Sequence, residues 1–260
     1  MTTAAAITAC RTGSGAPVAL LHPAGFGAPI LEPVAELLAT RVEVIIPERR
    51  GYGASADLPR PASLDDAADD LAGLLDRLGL DRITVVGVSA GATLSLAFAL
   101  RHPDRTAGGL SHEPLLGPIA PTLHEIVTGR IATLAAETDD DEEAAVSVFM
   151  SELVGTPTWN RLLPAWRDEV RTNAAITRHE VALFPSFAVD EPAIAHLARL
   201  GVISSIGARS GPARREVADT LLAFGMPLRT IDDAGHLPLV DAPSTFADLV
   251  LDVAGTKVTS

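Results

Sequence analysis

Apolar residues recur along this chain in two alternating rhythms. Short β-branched or apolar runs at Val18 to Leu21, Val42 to Ile46, Ile83 to Val88 and Ala107 to Ser111 predict strands. Between them, Leu31 to Ala39, Leu64 to Leu78 and Ala90 to Arg101 carry apolar positions at helical spacing. Strands alternating with helices predict a mainly parallel sheet flanked by helices, with ligand sites at the carboxyl ends of the strands. From Pro114 to Ala195 the strand rhythm stops and Pro-punctuated helical periodicity takes over, in Leu123 to Leu134, Ala144 to Leu153 and Trp166 to Ile176. Alternation then returns with Val202 to Ile206, Ala213 to Phe224, Leu228 to Ile231 and Ser244 to Val253. The expected organisation is an α/β core of residues 1–113 and 196–260 with a helical cap, 114–195, inserted into it.

Candidate chemistry sits at the joints of this pattern. Gly87-Val88-Ser89-Ala90-Gly91 falls between a predicted strand and a predicted helix, the setting of a nucleophile elbow. The turn strains the serine backbone and presents its oxygen beside a helix N-terminus, which favours developing negative charge. A glycine-rich turn without chemistry is the plainer alternative. A serine hydroxyl needs a base, and of the seven histidines His236 is best placed, just after the last predicted strand in Asp233-Ala234-Gly235-His236.

Composition narrows the partners. With 20 Lys+Arg against 33 Asp+Glu, the net charge of -13 repels nucleic acid and anionic lipid surfaces, so neither is expected as a partner. No apolar run is long enough to span a bilayer, and Met1 to Cys10 lacks a secretory pattern, so a cytoplasmic address is expected. The single cysteine, Cys10, excludes an internal disulfide and a Cys-rich metal site. The acidic run Asp139 to Glu143 reads as a solvated loop and helix start, and no His-Glu pair continues to the second histidine of H-E-x-x-H, so no metal is expected. The oligomeric state is left open, a homodimer included.

The elbow, Ala234-Gly235-His236, His22-Pro23-Ala24-Gly25 and Pro47-Glu48-Arg49-Arg50-Gly51-Tyr52-Gly53-Ala54-Ser55 together resemble the α/β-hydrolase superfamily over essentially the whole chain. That resemblance implies an α/β-hydrolase fold and a cofactor-independent serine esterase or lactonase. It implies oxyanion donors at Ala24 and Ala90, with Gly25 the fallback, although Pro23 stands where glycine is usual. The family's acid position corresponds to Ser210, which has no carboxylate. Glu113, in Ser111-His112-Glu113-Pro114 after the strand that is sixth in the family's count, is the alternative acid, as in zearalenone-type lactonases. Asp232, Asp233 and Asp241 remain further alternatives, with Glu113 then pairing with an arginine or capping. A cap rich in the chain's few large aromatics suggests a hydrophobic small-molecule substrate, with His112, Leu115, Leu116, Trp166, Phe187 and Leu237 as candidate lining residues. Carbon-carbon bond cleavage, acyl transfer and non-catalytic ligand binding are the competing functions.

Overall fold

A strand buried on both of its faces belongs inside a sheet covered on both sides, and β4 (Ile83–Val88), buried throughout, sits at the centre of one. The computed structural model describes residues 6–137, 141–184 and 187–255. Its seven strands are β1 (Thr8–Gly13), β2 (Pro17–Leu21), β3 (Glu43–Glu48), β4, β5 (Thr106–His112), β6 (Val202–Gly207) and β7 (Leu228–Ile231). They lie in the order β1-β3-β2-β4-β5-β6-β7, and every pairing is parallel except that of β1 with β3. This is an α/β-hydrolase fold.

Helices cover both faces. α1 (Glu32–Leu38) packs with α12 (Pro243–Val253), and α2 (Leu64–Leu78) packs on α3 (Ala90–Arg101). Ser63 and Asp66 form a capping box at the start of α2, and Gly79 ends it with φ 67°. α3 is apolar on nearly every side because it is enclosed by the sheet, α2 and α9 (Glu191–Arg199). The chain between β5 and α9 forms α4 (Pro121–Glu137), α5 (Glu142–Val154), α6 (Thr156–Arg161), α7 (Pro164–Thr172) and α8 (Ala174–Leu183). α4 touches α10 (Pro212–Ala223) and α6 touches α11 (Pro238–Asp241), so this helical layer is seated on the core. No helix among the described residues is long and apolar enough to cross a membrane.

Two elements depart from the expected pattern. β1 precedes the first strand read from the sequence; as an exposed edge strand it buries almost none of its side chains and so carries no apolar alternation. Cys10 lies in it. The single helix expected over Trp166 to Ile176 is two, broken at Asn173, whose side chain is used elsewhere. The core boundary expected after Ala195 falls inside α9, one helix N-capped by Asp190 that packs on β6 and α3. Of the acidic run, Asp139 and Asp140 lie outside the described residues, while Asp141 N-caps α5 by accepting the Ala144 N–H.

Candidate active site

β4 ends at Val88 and α3 begins at Ala90, leaving Ser89 between them with φ 56° and ψ -118°. A non-glycine residue persists there only where its surroundings fix it. The Ser89 N–H donates to the His112 carbonyl at 2.9 Å, and the Ser89 carbonyl accepts the Thr93 N–H at 3.0 Å. Both elbow glycines are sterically required: a Cβ on Gly87 would overlap the Gly91 carbonyl, and one on Gly91 would overlap the Leu21 carbonyl. Ser89 is thereby held at the first turn of α3, with Ala90 as the helix's first residue.

The neighbouring strand supplies a carboxylate. β5 runs parallel to β4 with His112 paired to Val88, so Glu113 is the first residue past the sheet beside Ser89. Glu113 also leaves its strand with a positive φ, 50°. Its Oε2 lies 2.8 Å from His236 Nδ1. Its Oε1 accepts the Gly207 N–H at 2.9 Å and the Ser210 hydroxyl. Arg214, near the start of α10, brings Nε to 3.3 Å from Oε2. The hydroxyl that stands in the family's acid position is thus a donor to the glutamate. Glu113 meets both the histidine and an arginine, which the sequence had posed as alternatives.

His236 sits on a loop that is itself anchored. Asp241 Oδ2 accepts the Gly235 N–H at 2.7 Å, while its Oδ1 accepts the Thr158 hydroxyl at 2.8 Å and pairs with Arg161. Arg209 lies 3.1 Å from Oδ2. Asp241 therefore braces the loop from within, and Asp232 and Asp233 are exposed.

Burial governs the charges here. It lowers the His236 pKa to about 4, with the Arg214 cation pushing the same way and Glu113 opposing. Burial acts to raise the Glu113 carboxyl, but His112, the His236 hydrogen bond and Arg214 outweigh it and hold the group well below the usual carboxylate range. At neutral pH the site therefore holds a neutral imidazole with Nδ1–H donated to a carboxylate, leaving Nε2 able to accept a proton.

The loop after β2 brings Ala24, buried, to the same end of the sheet. The Gly25 N–H donates to the Tyr52 hydroxyl at 3.1 Å, so this fallback donor is already committed. A cavity of about 270 Å³ reaches His236, with Leu153, Val154, Pro157, Ser210 and Arg214 among its walls. Of the residues expected to line a pocket, Leu115, Leu116 and Leu237 are buried in the hydrophobic core, and Trp166 and Phe187 pack half-buried against it. His112 is fully buried, with Nδ1 2.9 Å from the Ser205 hydroxyl and its ring edge-on to Phe246. Arg214 and Glu180 have no distinguishing sequence signal, and Tyr52 falls in the family-like Pro47 to Ser55 segment with no pattern that assigns it a role; an arginine four residues after Ser210 gains meaning only beside Glu113. Among the described residues, no group of three or more His, Cys, Asp or Glu is disposed to hold a metal ion.

The chain belongs to the Alpha/beta hydrolase family, which matches residues 18–249. It is 39% identical over 113 residues to a putative carbamate hydrolase, RutD, of Caulobacter segnis, covering 40% of this chain and 42% of that protein. It is also 39% identical over 100 residues to the 2-hydroxy-6-oxo-2,4-heptadienoate hydrolase of Pseudomonas putida, covering 36% of this chain and 35% of that one. These matches thus span less than half the length of each relative. An alpha/beta hydrolase from Sphaerobacter thermophilus superposes with a TM-score of 0.74 at 26% identity, over 95% of both chains.

Proposed function

We propose that Ser89, His236 and Glu113 act as nucleophile, base and acid in hydrolysing a carboxylic ester or lactone of a hydrophobic small molecule. The observation that carries this reading is the 2.8 Å contact of Glu113 Oε2 with His236 Nδ1, which fixes the tautomer a serine base requires. Ser89 Oγ attacks the carbonyl carbon while His236 Nε2 takes its proton. The N–H groups of Ala24 and Ala90 receive the oxyanion. As the tetrahedral intermediate collapses, His236 returns the proton to the leaving alkoxide, giving an alcohol and an acyl-enzyme. Water, deprotonated by His236, then attacks the acyl carbon, and Ser89 leaves with the proton. One water is consumed, and no cofactor enters the balance.

An acid supplied from after β5 would resemble the arrangement of zearalenone-type lactonases, which makes macrolactones a natural part of the substrate class to test. A second reading, hydrolysis of a carbon-carbon bond in a vinylogous diketone, is favoured by the similarity to the Pseudomonas putida dienoate hydrolase. A panel of aryl esters, macrolactones, carbamates and dienoate diketones, run on the parent and on Ser89→Ala, tests both. Turnover of an ester or lactone that disappears in Ser89→Ala supports the first reading. Turnover of the diketone alone replaces it with the second, and Ser89-independent turnover contradicts both.

A further inference from the structure

Three consecutive peptide units of the loop carrying Ala24 are tied down, one directly from the helical layer above the sheet and two through core residues that also contact that layer. The Pro23 carbonyl accepts His22 Nδ1–H at 3.0 Å and Arg49 Nη2–H at 3.4 Å. The next unit is held by the Gly25 N–H donating to the Tyr52 hydroxyl at 3.1 Å. In the third, the Gly25 carbonyl accepts Asn173 Nδ2–H at 3.1 Å, from the break between α7 and α8.

Arg49 and Tyr52 belong to the core, yet both turn to one residue of α8, Glu180. The Tyr52 hydroxyl donates to Glu180 Oε2 at 2.6 Å, and Arg49 Nη2 donates to the same oxygen at 3.2 Å. Arg49 Nη1 lies 2.8 Å from Oε1, an ion pair without the alignment of a hydrogen bond. Glu180 is 2% exposed and Tyr52 fully buried. Burial raises the Tyr52 phenol well above its ordinary pKa, so it keeps the proton it donates.

Geometry turns these ties into a constraint on one amide. In a trans peptide the carbonyl and the N–H point in opposite directions, and no described peptide bond is cis. Holding the Pro23 carbonyl therefore aims the Ala24 N–H away from His22 and Arg49, and holding the Gly25 N–H stops the following unit from rotating. Hydrogen bonds to an oxyanion weaken steeply with misalignment. A buried Glu180 is stable only while its cationic and phenolic partners face it.

We infer that Glu180 is a positioning residue: docking of α8 draws Arg49 and Tyr52 into the arrangement that aims the Ala24 amide, so the oxyanion site is complete only beneath the seated cap. The inference rests on the serine hydrolase reading above, and one of its readouts is independent of turnover.

The test compares Glu180→Ala, Glu180→Gln and Tyr52→Phe with the parent in ester hydrolysis, inhibition by an alkyl trifluoromethyl ketone, and amide hydrogen exchange of residues 22–27. Glu180→Ala is expected to lower kcat by roughly 10² with KM changed less than about threefold, and to weaken the ketone in proportion to kcat/KM. Glu180→Gln, which can still accept the Tyr52 hydroxyl, retains at least about tenfold more activity than Glu180→Ala. Exchange over 22–27 quickens in Glu180→Ala. A folded Glu180→Ala protein with parental kcat, or with parental exchange in this segment, overturns the inference. If Glu180→Ala does not fold, Tyr52→Phe, which removes one hydroxyl, decides by the same readouts. An inert parent contradicts the hydrolase reading, whereas unchanged exchange in the variant contradicts the clamp.

Discussion

Ser89 and Glu113 are the first residues beyond a paired Val88 and His112 on adjacent parallel strands, and both turn away from the sheet with positive φ, 56° and 50°. Two strained non-glycine residues side by side form a frame in which the proposed nucleophile and the proposed acid are one strand spacing apart. His236 closes the frame from β7's loop through the Glu113 carboxylate. Side-chain length is then part of the design. Glu113→Asp withdraws the carboxylate by one methylene from His236 Nδ1, Gly207 and Ser210 together, and is expected to cost about 10- to 100-fold in kcat with a smaller change in KM. Steady-state ester kinetics check this; parental kcat in Glu113→Asp would show that reach is unimportant.

Ser210 provides a way to move the acid. Ser210→Ala removes a single donor to Glu113 Oε1 and is expected to reduce kcat by less than about tenfold. Ser210→Asp in a Glu113→Ala background places a carboxylate at the position usual in the family, and is expected to recover at least about tenfold over Glu113→Ala alone. The same kinetic assay applied to the double variant decides; no recovery means that the β6 end cannot address His236 in this chain.

The pH profile follows from His236. A base acts only when neutral, so kcat/KM should stay level from neutral pH downward and fall as pH drops through about 4, rather than near the ~6.5 of free imidazole. Arg214→Met removes a buried cation beside the ring and should move this acid limb to higher pH. Stability follows the same sign. The unfolded histidine takes up a proton near pH ~6.5 while the folded ring stays neutral, so its contribution is full above that pH and is lost as pH falls toward 4. Glu113 acts likewise, its contribution lost below the unfolded carboxylate pKa of ~4.3. Kinetics and chemical denaturation from about pH 2.5 to 8 read both; an acid limb at ~6.5 in the parent contradicts the assignment of His236.

Gly91→Ala tests the elbow's packing apart from its chemistry. Its Cβ would collide with backbone at Leu21, which cannot swing aside as a side chain could, and the expected destabilisation is about 3 kcal/mol or more. Thermal and denaturant unfolding measure it, and a parental Tm contradicts the packing described.

How much of this was legible in the sequence depended on whether the signal was local. The central strands, α2 and α3 announce themselves because burial imposes period and β-branching on a contiguous stretch, and the elbow does so because its glycines are required within five residues. β1 escaped notice because an edge strand buries nothing that would impose alternation. Asn173 breaks a helix whose apolar repeat looked continuous, and its side chain serves the Gly25 carbonyl 148 positions away. Glu113 could be proposed from its place after a strand, but Ser210 and Arg214 as its partners, and Glu180 as the partner of Arg49 and Tyr52, are products of folding with no local pattern. Apolarity near a motif does not separate a pocket wall from core: Leu115, Leu116 and Leu237 are buried with the main cluster, and pattern alone does not decide their part in a pocket.

Rates of fluorophosphonate labelling, with the modified peptide identified by mass spectrometry, test the central claim most directly. The account predicts an adduct on Ser89 in the parent, none in Ser89→Ala, and labelling slowed by at least about 100-fold in a folded Glu113→Ala protein. A parent that gives no adduct at Ser89, or a Glu113→Ala protein labelled at the parental rate, would contradict it.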